Sequence, residues 1–357
     1  MRLLLVSHPP LIPELGVPQV VLSLAHALRE RGHDTLAWSP EPLPPGTRWW
    51  DRWRAQRSAL ERFVREAGPF DAIDAPAISL GPHLGRAARL VARSFQPEML
   101  YMKADLRAQL LRPTWRTPFH AAHGVVVSAA VIRGWKRAAL IVCQGTLERD
   151  WMLRRFPRWA PRLRVWVVAP PAAERAALAT VRRERVQRPG RGTRFLWIGR
   201  WTAHKGTARL VRFLRERAAS HPDDSFTVAG CGPAAERDLP PGLLRDGRLR
   251  IVPSFPRADL PALLTAHDAG LFTSSVEGWG LCLNEMLEAG LPVYATRAGG
   301  VADLAPYWAD RLRAFPPPAR LEPPGPEPDL APYFERFSWP ETARLYEEDL
   351  LALEPRP

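Results

Sequence analysis

What most restricts this chain is a pattern that recurs along it: a short apolar run, a loop carrying glycine or proline, then apolar residues spaced as on one face of a helix. Arg2-Leu-Leu-Leu-Val6 opens the pattern as a buried strand. After a Pro- and Gly-containing loop, Val20, Val21, Leu24 and Leu28 recur at helical spacing, with Pro18 suited to a first turn. Arg31-Gly32-His33 stops that helix before a strand near Thr35–Trp38. Apolar runs at Ala72–Ile73, Leu90–Ala92, Val125–Val127 and Leu140–Cys143 continue the alternation as further strands. Such alternation implies a parallel sheet covered by helices.

The pattern then starts again. Phe195–Ile198 ends at Gly199, Thr207–Leu214 is helical, and Phe226–Ala229 ends at Gly230. Leu249–Val252, Ala269–Phe272 and Val293–Ala295 supply more strands, with helices at about Asp259–Ala266 and Leu283–Glu288 between them. Between the two series, residues 182–194 are rich in arginine, carry Pro and Gly, and lack periodicity, as a linker does. A chain of 357 residues exceeds the roughly 250–300 at which one core stops growing, so two α/β domains are expected, 1–181 and 195–336. The proline-crowded stretch Pro316–Pro332 suits neither helix nor central strand and reads as a surface connection, followed by an amphipathic helix through Leu351.

Composition narrows the class. Hydrophobic residues are 46% and charged residues 24%, which argues against disorder and against a membrane-embedded chain, and no stretch reaches 18 uninterrupted apolar residues. The formal charge of +13 is carried by arginine, since Lys103, Lys136 and Lys205 are the three lysines among 50 basic residues. It is also polarised: residues 101–200 hold 21 basic and 5 acidic residues, while 251–357 hold 8 and 16. A field of this kind attracts nucleic acid, anionic lipid or a phosphorylated ligand without choosing among them. Cys143, Cys231 and Cys282 are scattered and form no C-x-x-C pair, so neither a disulfide framework nor a zinc site is supported, and a reducing cytosol fits. The opening apolar run is too short for a secretory signal, so the expected location is the cytoplasm, with membrane contact only peripheral.

Doubly wound sheets bind ligands outside the carboxyl ends of their strands, where glycine lets backbone N–H groups approach a phosphate. Gly199, Gly230 and Gly232 stand at such ends, although turns need glycine too. More telling is Gly199-Arg200-Trp201-Thr202-Ala203-His204-Lys205-Gly206, a loop carrying two cations, which suits a diphosphate as well as it suits solvent. Further on, Ser275-Val276-Glu277-Gly278-Trp279-Gly280-Leu281-Cys282-Leu283-Asn284-Glu285 follows an apolar strand. Its Gly-Trp-Gly opens backbone amides, and its two carboxylates, before and inside the next helix, can accept bonds from hydroxyls. Glu277 also reads as a carboxylate favourable near a helix N-terminus and Glu285 as surface charge, while Glu288 reads as surface charge alone.

The run Glu277-Gly-Trp-Gly-Leu-Cys-Leu-Asn-Glu285-Met-Leu-Glu-Ala-Gly290-Leu-Pro-Val-Tyr-Ala-Thr296, followed by Gly299-Gly300, resembles the E-x7-E signature of family 4 glycosyltransferases, which are retaining enzymes with the GT-B fold. Gly199-Arg200…Lys205-Gly206 is similar to that family's diphosphate loop, Val228–Pro233 and Leu24–Asp34 resemble further stretches, and Phe337-Ser338-Trp339 resembles the entrance to its last helix. The resemblance implies two Rossmann-like domains facing a central cleft, an acceptor domain first and a nucleotide-sugar donor domain second, with the helix in 337–357 packing back on the first. It implies retaining transfer of a hexose-type sugar, in glycan biosynthesis, from a nucleoside diphosphate, with no cofactor and no metal. Arg200 and Lys205 would neutralise the diphosphate. Glu277 with the amides of Gly278, Trp279, Gly280 and Leu281 would hold the hexose, and Glu285 the ribose.

Two departures bear on the acceptor half. The family's first loop usually has adjacent glycines where this chain has Leu15-Gly16-Val17-Pro18, which leaves Gly16 as the acceptor-loop candidate. Phe95 and Gln96 stand where a histidine is often found, and His8, His83, His120 and His123 read as ordinary residues, so no catalytic base is assigned. Residues 147–159 mix Trp, Met, Leu and Phe with arginine: packing on the first sheet is the favoured reading, and contact with an anionic membrane through 101–200, on its inner face, the second. The rival functions are a sugar-nucleotide epimerase or phosphorylase on the same fold, a non-catalytic sugar-nucleotide binder, and a nucleic-acid binder, the last without a reading surface to support it.

Overall fold

The computed structural model describes residues 1–95, 97–111, 113–185, 192–323 and 325–353. They form two compact units, one of Met1–Ala169 joined by the chain from Tyr333, the other of Pro170–Pro332. In the first unit the elements run β1 (Arg2–Val6), α1 (Gly16–Glu30), β2 (Asp34–Trp38), α2 (Arg52–Ala67), β3 (Ala72–Pro76), α3 (Leu84–Ala87), β4 (Arg89–Arg93), α4 (Glu98–Leu111), α5 (Thr117–Arg137), β5 (Leu140–Cys143), α6 (Thr146–Arg155) and β6 (Leu163–Val165). The strands make one six-stranded sheet in the order β2-β1-β3-β4-β5-β6, and every pair is parallel. Leu3, Leu4, Leu5 and Val6 are all buried, as the apolar first strand requires of a sheet covered on both faces.

Two expectations for this unit change. Val125–Val127 is not a strand but lies inside α5, because β4 pairs directly with β5 and the sheet has no position left for it. Ala121, Ala122, Ala129 and Ala130 favour the helix, although Gly124 and Ser128 next to the run do not. The 147–159 segment packs inward, as the favoured reading had it: Met152 and Trp159 are buried, and Trp135, Phe156 and Trp159 form an aromatic cluster with ring centroids 4.8–5.5 Å apart.

The second unit contains α7 (Ala172–Glu184), β7 (Arg194–Ile198), α8 (Thr207–Ser220), β8 (Ser225–Ala229), α9 (Pro241–Arg245), β9 (Leu249–Val252), α10 (Leu260–Thr265), β10 (Ala269–Phe272), α11 (Leu281–Glu288), β11 (Val293–Ala295), α12 (Val301–Leu304) and β12 (Leu312–Ala314). Its parallel sheet runs β12-β11-β10-β7-β8-β9. The chain therefore leaves β7 outward to β8 and β9, then returns to β7's other side with β10. That reversal is the topological switch point, where ligands bind such sheets.

The stretch expected as a linker begins too early. Arg182 and Arg185 act at the end of α7, not in a featureless connection: Arg182 donates to Glu288 O (2.7 Å), and Arg185 donates to Ala289 O (3.0 Å), His267 O and Leu264 O (both 2.8 Å). Two guanidinium groups thereby satisfy the open carbonyls at the carboxyl ends of α10 and α11 and complement their dipoles. Of the expected linker, residues 186–191 lie outside those described.

The last elements, α13 (Ala331–Arg336) and α14 (Trp339–Leu351), complete the first unit. Ser338 caps α14 by accepting from Glu341 N at 3.2 Å, with Pro340 in the first turn, which explains locally why a helix starts there. Asp349 accepts from Trp166 Nε1 (2.7 Å) and Arg164 Nε (2.5 Å), while Thr342 donates to Val167 O (3.0 Å). Residues 354–357 lie outside the described chain.

Candidate functional site

The loops after β7 and β10 meet at the switch point of the second unit. After β7 the chain passes Gly199 and Arg200 into a short 3-10 turn, Ala203–Lys205, and then Gly206. Gly206 has φ +72°, and a Cβ there would lie 1.9 Å from Thr273 O, so no other residue lets the two loops close this tightly. Ser275 N and Val276 N donate to His204 O (2.7 and 3.3 Å), Thr273 Oγ1 donates to Lys205 O (2.8 Å), and Trp197 Nε1 donates to Thr273 Oγ1 (3.0 Å). The result is a lysine fixed from behind.

Lys205 Nζ faces Glu277, with 2.6 Å to Oε2, and the same oxygen accepts from Ser274 Oγ at 3.1 Å. Both charged side chains are largely buried, 14% and 9% exposed, so the pair sits where charges interact more strongly than in water. Burial opposes the ammonium charge, but the Glu277 carboxylate outweighs it and holds the Lys205 pKa above the ordinary lysine value. Arg200 is exposed and makes no ion pair among the described residues, yet its charge reaches both Lys205 and His204. His204 itself is buried, and desolvation pulls its pKa down to about 4 against the pull of Glu277, so it is neutral near pH 7.

Beyond Glu277, Gly280 has φ +93°, and a Cβ there would meet the Phe272 ring at 2.8 Å, so glycine is needed for α11 to start at Leu281. The first N–H groups of that helix have no partner within it. Trp279 is an anchor of this loop: its indole is 2% exposed and donates to Asn284 Oδ1 (2.6 Å), while its carbonyl accepts from Gly300 N (2.8 Å). Backbone is therefore what this residue has to offer a ligand. Gly230 and Gly232 follow β8 in the neighbouring loop, and a Cβ on Gly230 would stand 3.9 Å from Gly199 N.

The second carboxylate also has a cation, one the sequence did not suggest. Glu285, almost fully buried on α11, accepts from Arg257 Nη2 (2.7 Å), and Arg257 also binds Glu174 on α7 (2.5 Å). Burial pushes the Glu285 pKa up, with Arg257 pulling it back, while the two carboxylates outweigh burial and raise the Arg257 pKa. Cys282, whose thiol burial pushes up to about 12, feels Lys205, Glu285 and Glu277 together, which places both acid–base pairs around one point of the helix start. Glu288, expected at the surface, is 1% exposed and pairs with Arg175 at 2.9 Å, because α7 packs over the same turn of α11.

The structure thus joins Gly199, Arg200, Lys205, Glu277 and Gly278–Leu281 in one neighbourhood, adds Glu285 one turn along α11 from Cys282, and leaves Gly16 apart, as the first residue of α1 in the first unit. A cavity of about 910 Å³ lies beside this site; Ser274 belongs to both, but the four charged candidates do not line it. Sequence reasoning missed Arg257, Ser274 and His204. Arg257 stands 28 positions before Glu285 on another element, and only His204, inside the two-cation loop, was flagged by position.

Residues 192–311 match the sequence model of the family Glycosyl transferases group 1. Among curated proteins, the uncharacterized glycosyltransferase YqgM of Bacillus subtilis is 31% identical over 116 residues, which cover 31% of this chain and 32% of that one. The matched stretch thus spans about a third of that relative's length. Among solved structures, sucrose-phosphate synthase from Thermosynechococcus elongatus superposes with a TM-score of 0.63 at 18% identity, covering 99% of this chain and 94% of the other. HepE of Anabaena, in complex with UDP and glucose, gives 0.61 at 16% identity, covering 99% and 100%. The fold is GT-B. The matched stretch and the fold are the ground for the reading proposed below.

Proposed function

We propose that the protein transfers a hexose-type sugar from a nucleoside diphosphate to an acceptor, with retention at the anomeric carbon. The observation that carries this is the Lys205–Glu277 pair, 2.6 Å apart, where the two switch-point loops close on each other. In this reading Lys205 and the exposed Arg200 take the diphosphate, without need of a metal. Glu277 and the amides of Gly278–Leu281 take the hexose, and the Glu285 oxygen not held by Arg257 takes ribose hydroxyls. As the bond from the anomeric carbon to the diphosphate oxygen breaks, charge grows on that oxygen. A lysine already fixed by its loop and kept protonated by Glu277 stabilises that charge with little reorganisation.

HepE, bound to UDP and glucose, supports a nucleotide-sugar donor, and the E-x7-E resemblance supports retention. The reading also places the protein in the cytosol, where its three free thiols fit a reducing compartment, peripherally on an anionic membrane. A thermal-shift panel of sugar nucleotides tests it first, since a ligand bound only by the folded state raises its stability. With the donor identified, Lys205→Ala loses one or two charge-assisted bonds and should lower kcat/KM by roughly 10- to 10⁴-fold. If no sugar nucleotide raises the melting temperature, or the variant turns the donor over at the wild-type rate, the proposal fails. Donor binding without transfer would identify a non-catalytic binder.

A further inference from the structure

The exposed large apolar side chains are concentrated in one part of the first unit. Leu110, Leu111, Trp115, Phe119 and Val125 are 60–84% exposed, and Val126, Trp49 and Trp50 are exposed as well. The two elements that carry most of them are anchored weakly. Helix α4 has no residue buried as a whole over its 14 positions, although the Glu98 carboxyl at its start is enclosed, and α5 buries its carboxyl-terminal part, around Ala130, Val131, Gly134 and Trp135, while most of its first half stays open. Trp49 stacks on His120 (ring centroids 4.8 Å), and His123 Nε2 is 3.2 Å from Trp50 O, so the tryptophan loop is fastened to the first half of α5 and shares its surface. Soluble chains rarely leave so many bulky apolar groups together without covering them.

The charge around this patch indicates what covers it. Lys103, Arg107, Leu110 and Leu111 follow one another at i, i+4, i+7 and i+8 on α4 and are all exposed, so cations and apolar groups share one stripe. Arg116 lies over the Trp115 ring at 4.9 Å and Arg48 over Trp50 at 5.4 Å. Over residues 101–137 the sequence holds seven basic residues and one acidic residue. Tryptophan, phenylalanine and leucine beside arginine, with almost no acid, are the chemistry of a surface that enters the headgroup layer of an anionic bilayer. A partner protein's apolar face has no such need for surrounding cations.

We propose that the end of α4, the start of α5 and the Trp49–Trp50 loop together seat the first unit on an anionic bilayer. This deepens the peripheral-membrane part of the reading above and is independent of sugar transfer. No helix of the described chain is long and apolar enough to cross a membrane, so the contact lies in the interface. The full chain is mixed with vesicles of phosphatidylcholine alone, or with about a third phosphatidylglycerol, and bound protein is measured by flotation. Anionic vesicles should bind at least about tenfold more tightly, with Trp fluorescence shifting to the blue and binding weakening as salt rises. Leu110→Asp with Leu111→Asp should lower binding about tenfold or more, and Arg107→Ala or Arg116→Ala about fivefold each on anionic vesicles. All four positions are exposed, and an unchanged melting temperature confirms that the fold is kept. The proposal is overturned if wild type ignores anionic vesicles, if the double aspartate variant binds them as well as wild type, or if wild type is a dimer in solution that this variant splits without any vesicle binding.

Discussion

Acidic side chains are enclosed near the carboxyl ends of strands in both units; most meet a cation, as Asp74 meets Arg93 in the first, but two in the first unit do not. In the second unit each has a cation: Glu277 has Lys205, Glu285 has Arg257, and Glu288 has Arg175. In the first unit Glu98 and Glu148, after β4 and β5, have none among the described residues. Burial pushes their pKa values up to about 8 and about 7, and Glu148 raises Glu98 further. A carboxylate matched by a cation stays charged and can receive hydroxyls, whereas one left unmatched in low dielectric keeps its proton. The difference teaches that the second unit is prepared for a ligand carrying both charge and hydroxyls, while the acid pair of the first unit keeps about one proton near pH 7, held on Glu98.

The sharpest way to break that comparison is the Lys205→Ala loss of activity already described. Next in size, Arg257→Ala strands Glu285 and Glu174 without their shared guanidinium, and should cost about 3–5 kcal/mol of stability, measured by denaturant unfolding. An Arg257→Ala protein as stable as wild type would show that this triad is solvated and not a buried pair.

The pH dependence should carry opposite signs for the unpaired buried carboxyls and the buried histidines. Glu98 and Glu148 bind protons more tightly folded than unfolded, so the stability they contribute is complete below about 4.5 and is lost as pH rises through about 7 and 8. His204, with His8 likewise pulled down to about 4 by burial, contributes stability that is complete above about 6.5 and is lost as pH falls toward 4. The melting temperature should therefore be highest between about pH 4.5 and 6.5 and fall as pH rises beyond, and Glu98→Gln, which cannot ionise, should flatten that alkaline fall alone. An unchanged alkaline limb in that variant would locate the effect elsewhere. The smallest expected effect is Ser338→Ala, about 1 kcal/mol for one lost helix cap, which sets the scale of a single hydrogen bond for the other variants.

Five strands of the second sheet were legible as short, largely apolar runs between turn signals, whereas β12, three residues with Arg313 in the middle, was not; the loop glycines were legible because the chain has few other ways to turn there. The Lys205 loop was legible through its two cations. Its bond to Glu277 links residues 72 positions apart, and nothing in the spacing announces it. Val125–Val127 misled because three β-branched residues suit a strand as well as a helix until one knows that β4 and β5 already pair. The arginines at 182 and 185 misled in the other direction, since a charged, aperiodic stretch looks solvated until the helix ends it caps are in place.

By itself the sequence determined the alternation of strand and helix, the doubling of that pattern, and the positions where only glycine lets a loop turn, because these depend on neighbours a few residues away. The tertiary structure alone decided which guanidinium or ammonium faces which carboxylate. That choice is set by Coulomb energy over a few ångströms inside a poorly polarisable interior, and the crossover connections of a parallel sheet bring together charges that lie tens of residues apart along the chain.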